Sequence, residues 1–293
     1  MPEIDRAIPM PLEHGELGLG KRWRIGRELR ASNYRQAILL PNSMKSALVP
    51  FFAGIPLRTG WRGEMRYGLL NDLRVLDEAA LPLMVQRFVA LGLDSGEDLP
   101  DLLPQPGLRV DRQQALDCAA EFGLAPGRPI LALCPGAEFG PAKCWPTDHY
   151  ARLADHFLAR DWQVALYGSG NDRQVCSEIA QRAGGHERCH DLSGRTSLAQ
   201  AVDLLSLSTA VVSNDSGLMH IAAAVGRPLL AIYGATSPDF TPPMGPDSAL
   251  LVSDIDCAPC FARECPLGHH RCMLDMSPER ALEALERLLE DRG

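Results

Sequence analysis

The sequence predicts an α/β protein whose two domains are each wound around a parallel sheet, and three observations carry that expectation. Short apolar runs at 130–133, 163–167, 210–212 and 229–233 alternate with helical stretches, the pattern of strands buried on both faces and joined by crossover helices. The runs end in turns of small and polar residues, where sheets of this kind hold their ligands. The length of 293 residues reaches the range of roughly 250–300 at which one core gives way to two.

Taken in order, residues 1–20 read as loop, punctuated by Pro9, Pro11, Gly15, Gly18 and Gly20. A helix is expected over 21–32 and a buried strand over 36–40. The turn Pro41-Asn42-Ser43-Met44-Lys45-Ser46 leads into a helix at 47–52, which Asn42 and Ser43 are suited to cap. Residues 55–61 return toward the sheet. The loop 60–68 sets three glycines around Arg62 and Arg66, so it either closes on a substrate or simply connects. A helix at 82–91 precedes a linker at 94–108 rich in Pro, Gly and acids. The boundary is expected at 115/116, giving domains of 1–115 and 116–293. Helices are further expected at 111–122, 147–160, 197–206, 218–225 and 277–290, the last packing back on the first domain.

The first residues have neither the basic nor the apolar region of a signal peptide. The best apolar run, 48–57, falls far short of the ~18 residues of a membrane span, and a cytosolic protein is expected. Nine cysteines are an odd count that does not suit a disulfide framework. Cys257, Cys260, Cys265 and Cys272 cluster around His269 and His270. Thiolates so spaced suit a structural zinc, but there is no paired second CxxC, so a reduced Cys-rich loop is the favoured reading. The net charge of −8 hides an asymmetry: residues 21–74 hold eleven basic and three acidic residues, and residues 119–293 fourteen basic and twenty-two acidic. A basic first part points to a phosphorylated substrate, an anionic membrane surface or nucleic acid; for 21–30 alone, a solvated helix face suffices.

The chemistry concentrates between Thr209 and Pro243. Ser216 and Gly217 open a helix after a strand and offer N–H groups to an anion. His220, four residues on from Ser216, shares its helix face and either donates to a phosphate or sugar oxygen or packs as a structural residue. Asp215 caps the helix or holds sugar hydroxyls. Lys143 sits in a small-residue turn after the 130–133 strand, expected at the same sheet edge, where it acts as a point charge on phosphate. Gly168-Ser169-Gly170 lacks the third glycine of a dinucleotide fingerprint, which disfavours a nicotinamide enzyme and leaves a turn for a ribose or base.

Three blocks, PNSMKSALVPFFAGIPLRTGWRGEMRYGLLND (41–72), CPGAEFGPAKCWP (134–146) and SNDSGLMHIAAAVGRPLLAIYGATSPDFTPP (213–243), resemble the ADP-heptose:lipopolysaccharide heptosyltransferases of glycosyltransferase family 9. Weaker matches extend the likeness over nearly the whole chain. The resemblance implies a GT-B fold, two Rossmann-like domains facing across a cleft with the nucleotide sugar on the C-terminal one. It implies inverting transfer of L-glycero-D-manno-heptose from ADP-heptose to the heptosyl-Kdo2-lipid A inner core. No cofactor is required and no nucleic acid is bound, and the enzyme would be cytoplasmic, peripheral at the inner membrane of a Gram-negative cell. By position, Lys143 matches the diphosphate-binding lysine, and Asp215, Ser216, Gly217 and His220 match the donor turn. Glu138 and Phe139 fall where the family lines the diphosphate turn, and Thr196 near its adenine contacts. Lys45, Arg62 and Arg66 become candidates for a phosphorylated lipid acceptor.

The family opens with a strand and a glycine-rich loop bearing an aspartate taken as the general base. Nothing of the kind precedes Ile4, so the expectation is a first domain without its opening strand and a catalytic base absent from this chain; Glu64, Asp72 and Asp77 offer no clear substitute. The alternatives are a non-catalytic nucleotide-sugar binding protein and a sugar-nucleotide epimerase of similar architecture.

Overall fold

The computed structural model describes residues 4–12 and 15–290, and the chain divides into two compact units, Met1–Pro104 and Gln105–Gly293. In the first unit, helix α1 (Leu19–Leu29) precedes strand β1 (Gln36–Leu39), helix α2 (Leu48–Ala53), strands β2 (Leu57–Trp61) and β3 (Asp72–Arg74), and helix α3 (Met84–Gly92). The strands form a parallel sheet in the order β1-β2-β3. Its apolar core is small, centred on Leu39, Ala47 and Leu70. Arginines reach back to the main chain across this unit. Arg22 donates to the Leu17 carbonyl at 2.7 Å, Arg58 to the Leu69 carbonyl at 2.6 Å, Arg30 to the Phe52 carbonyl at 3.1 Å and Arg74 to the Ala90 carbonyl at 2.7 Å.

The second unit runs through helix α4 (Arg112–Glu121), strand β4 (Ile130–Cys134), helix α5 (Thr147–Leu158), strand β5 (Gln163–Leu166), helix α6 (Arg173–Arg182), strand β6 (Cys189–Asp191), helix α7 (Leu198–Ser206) and strand β7 (Ala210–Asn214). Helix α8 (Gly217–Ala224), strands β8 (Leu229–Tyr233) and β9 (Ser248–Val252), and helices α9 (Arg271–Leu274) and α10 (Pro278–Glu290) complete it. All six strands are parallel, in the order β6-β5-β4-β7-β8-β9. Alternation along the strands sends Leu131, Leu133, Val164, Val212 and Ile232 to one core and Ile130, Ala132, Val211, Ala231 and Tyr233 to the other. Two buried faces explain why the central strands read as unbroken apolar runs.

The structure differs from expectation in several places. Residues 105–115 lie with the second unit: the Leu108 amide donates to the Ala224 carbonyl at 2.9 Å, and Gln114 to the Asp203 carboxylate at 2.7 Å. Helix α10 packs on β8, β9 and α5 within the second unit, and its Ala281 and Leu285 are fully buried there. Strands β3, β6 and β9 were not expected; each is the edge of its sheet, and β3 and β6 carry polar and charged residues in place of an apolar run, whereas β9 does carry a short one, Ala249 to Val252.

Candidate active site

Strands β4 and β7 are neighbours, with Cys134 opposite Ser213, so the turns that leave their carboxyl ends are forced side by side. Asn214 joins them. Its side chain is wholly buried, donates to the Pro135 carbonyl at 2.6 Å, and accepts from the Trp145 amide at 3.1 Å and the Tyr150 hydroxyl at 3.0 Å. Trp145 is fixed in turn by its indole N–H on the Met276 carbonyl at 2.7 Å. A residue in this frame has little freedom, and Lys143 is in it: its Nζ lies 2.6 Å from Asp215 Oδ2 and 3.2 Å from the Asp215 carbonyl.

Asp215 is buried and fully engaged. Besides Lys143 it accepts from Thr236 Oγ1 at 2.8 Å and from Thr241 Oγ1 at 3.4 Å. Ser216, next in the chain, is the N-cap of α8 in extended conformation with its side chain making no cap bond; its hydroxyl meets that of Ser213 at 3.2 Å. The position of a side chain on Gly217 faces open space, leaving the first amides of α8 approachable, and these favour an anion.

These groups border a cavity of about 350 Å³ lined by Glu138, Phe139, Lys143, the 215–217 turn and His220, with Thr236, Thr241, Phe240 and Phe261 completing the wall. His220 lines the cavity and remains exposed, while the protein around it still removes part of its hydration. That partial loss of hydration holds its pKa below the ordinary histidine value; Asp215 pulls it up and Lys143 pushes it down. The cavity therefore offers an ammonium, a neutral imidazole and a helix start to an anion, with carboxylate and hydroxyl groups beside them to order a polyol.

The structure brings together seven of the residues singled out in the sequence: Glu138, Phe139, Lys143, Asp215, Ser216, Gly217 and His220. Thr196 is not among the lining residues; it precedes Ser197, the cap of α7, after β6 at the far edge of the sheet. The turn at Gly168 is tied to the β4 turn through Asp172, whose carboxylate accepts from the Ser169 amide at 2.7 Å and closes against Gly136, where a Cβ would stand 2.5 Å from it. Sequence reasoning missed Asn214, Thr236 and Thr241; the available signal for Asn214 was a polar residue ending a buried strand, which requires partners.

In the first unit Arg66 corrects an expectation. It is 1% exposed and donates to the Pro41 carbonyl at 2.6 Å, to Asn42 Oδ1 at 3.2 Å and to the Trp61 carbonyl. Burial lowers its pKa, against the neighbouring Glu64. It is a clamp between the 41–46 turn and the 61–68 loop, with no surface to offer an acceptor. Glu64 adds a bond from the Met44 amide at 2.8 Å. Lys45 and Arg62 lie on the same two segments, Lys45 half-buried and Arg62 exposed.

The four clustered cysteines and His269 line one narrow apolar cavity of about 20 Å³. Burial, and then the thiols of Cys260, Cys257 and Cys265, push the Cys272 thiol up, and the His270 amide foremost among several backbone N–H groups holds the Cys265 thiol down. Among the described residues, no three His, Cys, Asp or Glu side chains are grouped as metal ligands.

A family model for glycosyltransferase family 9 (heptosyltransferase) matches residues 22–271. The chain belongs to glycosyltransferase family 9. This family 9 chain is 48% identical over 300 residues to lipopolysaccharide heptosyltransferase 2 of Salmonella typhimurium, spanning 100% of this chain and 86% of that one. It is 49% identical to the protein of the same name from Escherichia coli, over 99% of this chain and 85% of that one. The solved structure of E. coli ADP-heptose LPS heptosyltransferase II superposes with a TM-score of 0.89 at 46% identity, covering 100% of this chain and 85% of that one. The fold is thus the GT-B fold of these enzymes, and the chain is a glycosyltransferase.

Proposed function

We propose that this glycosyltransferase moves L-glycero-D-manno-heptose from ADP-heptose to the heptosyl-Kdo2-lipid A inner core of lipopolysaccharide, inverting the anomeric centre. The observation that carries the reading is the Lys143–Asp215 pair at the head of α8, 2.6 Å apart on the wall of the cavity. The diphosphate lies against Lys143 and the first amides of α8, Asp215 holds Lys143 in place, and the carboxylate of Glu138 orders the sugar hydroxyls. An acceptor hydroxyl attacks the anomeric carbon from the face opposite the diphosphate. The new C–O bond forms as the bond to the diphosphate breaks, ADP leaves with the electron pair, and the hydroxyl proton passes to a general base. Charge developing on the leaving diphosphate is stabilised by Lys143 and the helix start, which are in place beforehand. Lys45 and Arg62 are the candidates for acceptor phosphate, in an enzyme that works in the cytoplasm against the inner membrane and needs no cofactor. No helix among the described residues is long and apolar enough to cross a membrane.

The test is transfer of labelled heptose from ADP-heptose to purified heptosyl-Kdo2-lipid A. Labelled lipid with matching release of ADP supports the proposal. Consumption of ADP-heptose without acceptor identifies an epimerase, and ADP binding without either reaction a binding protein; each overturns it.

A further inference from the structure

The wall of the cavity carries too little positive charge for the ligand it is read to hold. Its acidic and basic side chains other than His220 are Glu138, Asp215 and Lys143, and Lys143 is already paired with Asp215. His220 is held toward its neutral form, and a helix N-terminus contributes only about half a unit charge. Each phosphate of a sugar nucleotide is itself negative, so a further cation is required at the rim.

The Cys-rich loop delivers one. Arg263 extends its guanidinium over the Phe139 ring, 5.6 Å from the centroid, while Lys143 Nζ stands 5.1 Å from the same centroid. Arg263 Nε donates to the Phe139 carbonyl at 2.7 Å, and its own carbonyl accepts from the Ala142 amide at 3.1 Å. The fit is close: a Cβ on Gly140 would lie 2.4 Å from the Arg263 carbonyl oxygen. The loop is anchored beside the cavity a second time by the Phe261 amide on the Ala235 carbonyl at 2.8 Å, and Phe261 meets Phe240 edge to face, 6.2 Å apart, in the cavity wall. Arg263 remains exposed, with one nitrogen holding the turn and the rest of its fork open.

We infer that Arg263 is a further binding residue for the donor, the second cation that with Lys143 balances the diphosphate at the rim of the cavity. The inference rests on the donor-site reading above and names a residue outside it. A guanidinium suits the task, since its planar fork bonds a backbone carbonyl and a phosphate oxygen at once.

Calorimetry with ADP and with adenosine, on the whole protein and on Arg263→Gln, Arg263→Lys and Lys143→Ala, tests it. Arg263→Gln is expected to weaken ADP about tenfold, the usual effect of losing a charge-assisted hydrogen bond, and to leave adenosine within about twofold. Arg263→Lys is expected to recover part of the loss, the share carried by charge alone. Equal weakening of ADP and adenosine, or no recovery by lysine, would show that Arg263 serves only the shape of the turn and would overturn the inference. Unchanged ADP affinity in Arg263→Gln, alongside weakened binding in Lys143→Ala, removes Arg263 alone. Unchanged affinity in Lys143→Ala removes the donor-site reading beneath it.

Discussion

Lys143 Nζ and Asp215 Oδ2 are 2.6 Å apart although 72 residues separate them in the chain, and their side chains are only 14% and 6% exposed. The contact gives Asp215 a role outside the two that the sequence offered. Ser216 is the N-cap of α8, and Asp215 instead accepts from Lys143, Thr236 and Thr241. It builds the wall of the cavity and orients the lysine.

A nearly closed ion pair is costly to break from one side, because the remaining charge is stranded away from water. Lys143→Ala is expected to weaken ADP binding by about 10–100-fold and Asp215→Asn by about tenfold, with the double substitution losing less than the product because the residues act as a unit. Isothermal calorimetry on the three variants reads this, and unchanged affinity in both single variants would refute the donor site.

His220 makes binding pH-dependent with a definite sign. Its pKa in the folded protein is depressed, so the stability linked to its neutral ring is fully present above the unfolded-state value and lost as pH falls through the folded one. A bound diphosphate raises the pKa again, so the complex takes up a proton and ADP affinity rises as pH is lowered toward the pKa of the free ring. The slope of log Kd against pH should stay below about one. His220→Ala is expected to flatten the slope, as followed by calorimetry in buffers of different ionisation enthalpy; a slope persisting in that variant rules the ring out.

Asn214 predicts a loss of stability with a functional signature. Asn214→Ala removes three buried hydrogen bonds and strands the Pro135 carbonyl and the Trp145 amide, leaving the Tyr150 hydroxyl only the Cys134 carbonyl, a cost of about 3 kcal/mol. The turn bearing Lys143 loses its tie to β7, so ADP should bind more weakly even where the variant is fully folded. Denaturant unfolding and calorimetry on the same sample separate the two effects, and a variant matching the parent in both would contradict the role.

Arg66 predicts the opposite pairing. Arg66→Ala removes the guanidinium's bonds to the Trp61 carbonyl and Asn42 Oδ1 and leaves the Pro41 carbonyl to the Ser46 hydroxyl; it should cost about 3 kcal/mol, while ADP affinity in the second unit stays unchanged. A merely exposed acceptor-binding arginine would leave the unfolding curve where it was.

The chemistry proposed uses no metal, so heptose transfer is expected to persist after treatment with a chelator. Metal analysis of the purified protein should find less than a few tenths of an equivalent of zinc or iron, an amount short of full loading of one Cys-rich site. Loss of activity on chelation, restored by a metal, would reverse this expectation.

How much was legible in advance follows burial. The central strands β4, β5, β7 and β8 are closed on both faces, which favours apolar runs, with polar residues such as Gln163 and Asn214 only toward their ends. The cavity turns were legible because Ser216, Gly217 and Lys143 are types that serve poorly in a core and well at a strand end. The edge strands β3 and β6 were hidden because their residues Asp72, Arg74, His190 and Asp191 answer to neighbours in space rather than to a period. Thr236, Thr241 and Arg263 were hidden for the same reason, since their partners lie between 21 and 124 residues away and nothing local marks them.

The inward reach of Arg22, Arg30, Arg58, Arg66 and Arg74 has an evolutionary consequence. A lysine offers a point charge where these sites use a fork against main-chain carbonyls, so the five positions answer to the architecture of the first unit and hardly at all to what it meets. Drift in the acceptor, such as gain or loss of a phosphate between lineages, should leave them untouched and register instead at Lys45 and Arg62. A comparison of orthologues sorted by the phosphorylation of their inner core would then show two classes of basic residue in one segment, one frozen by folding and one following the substrate.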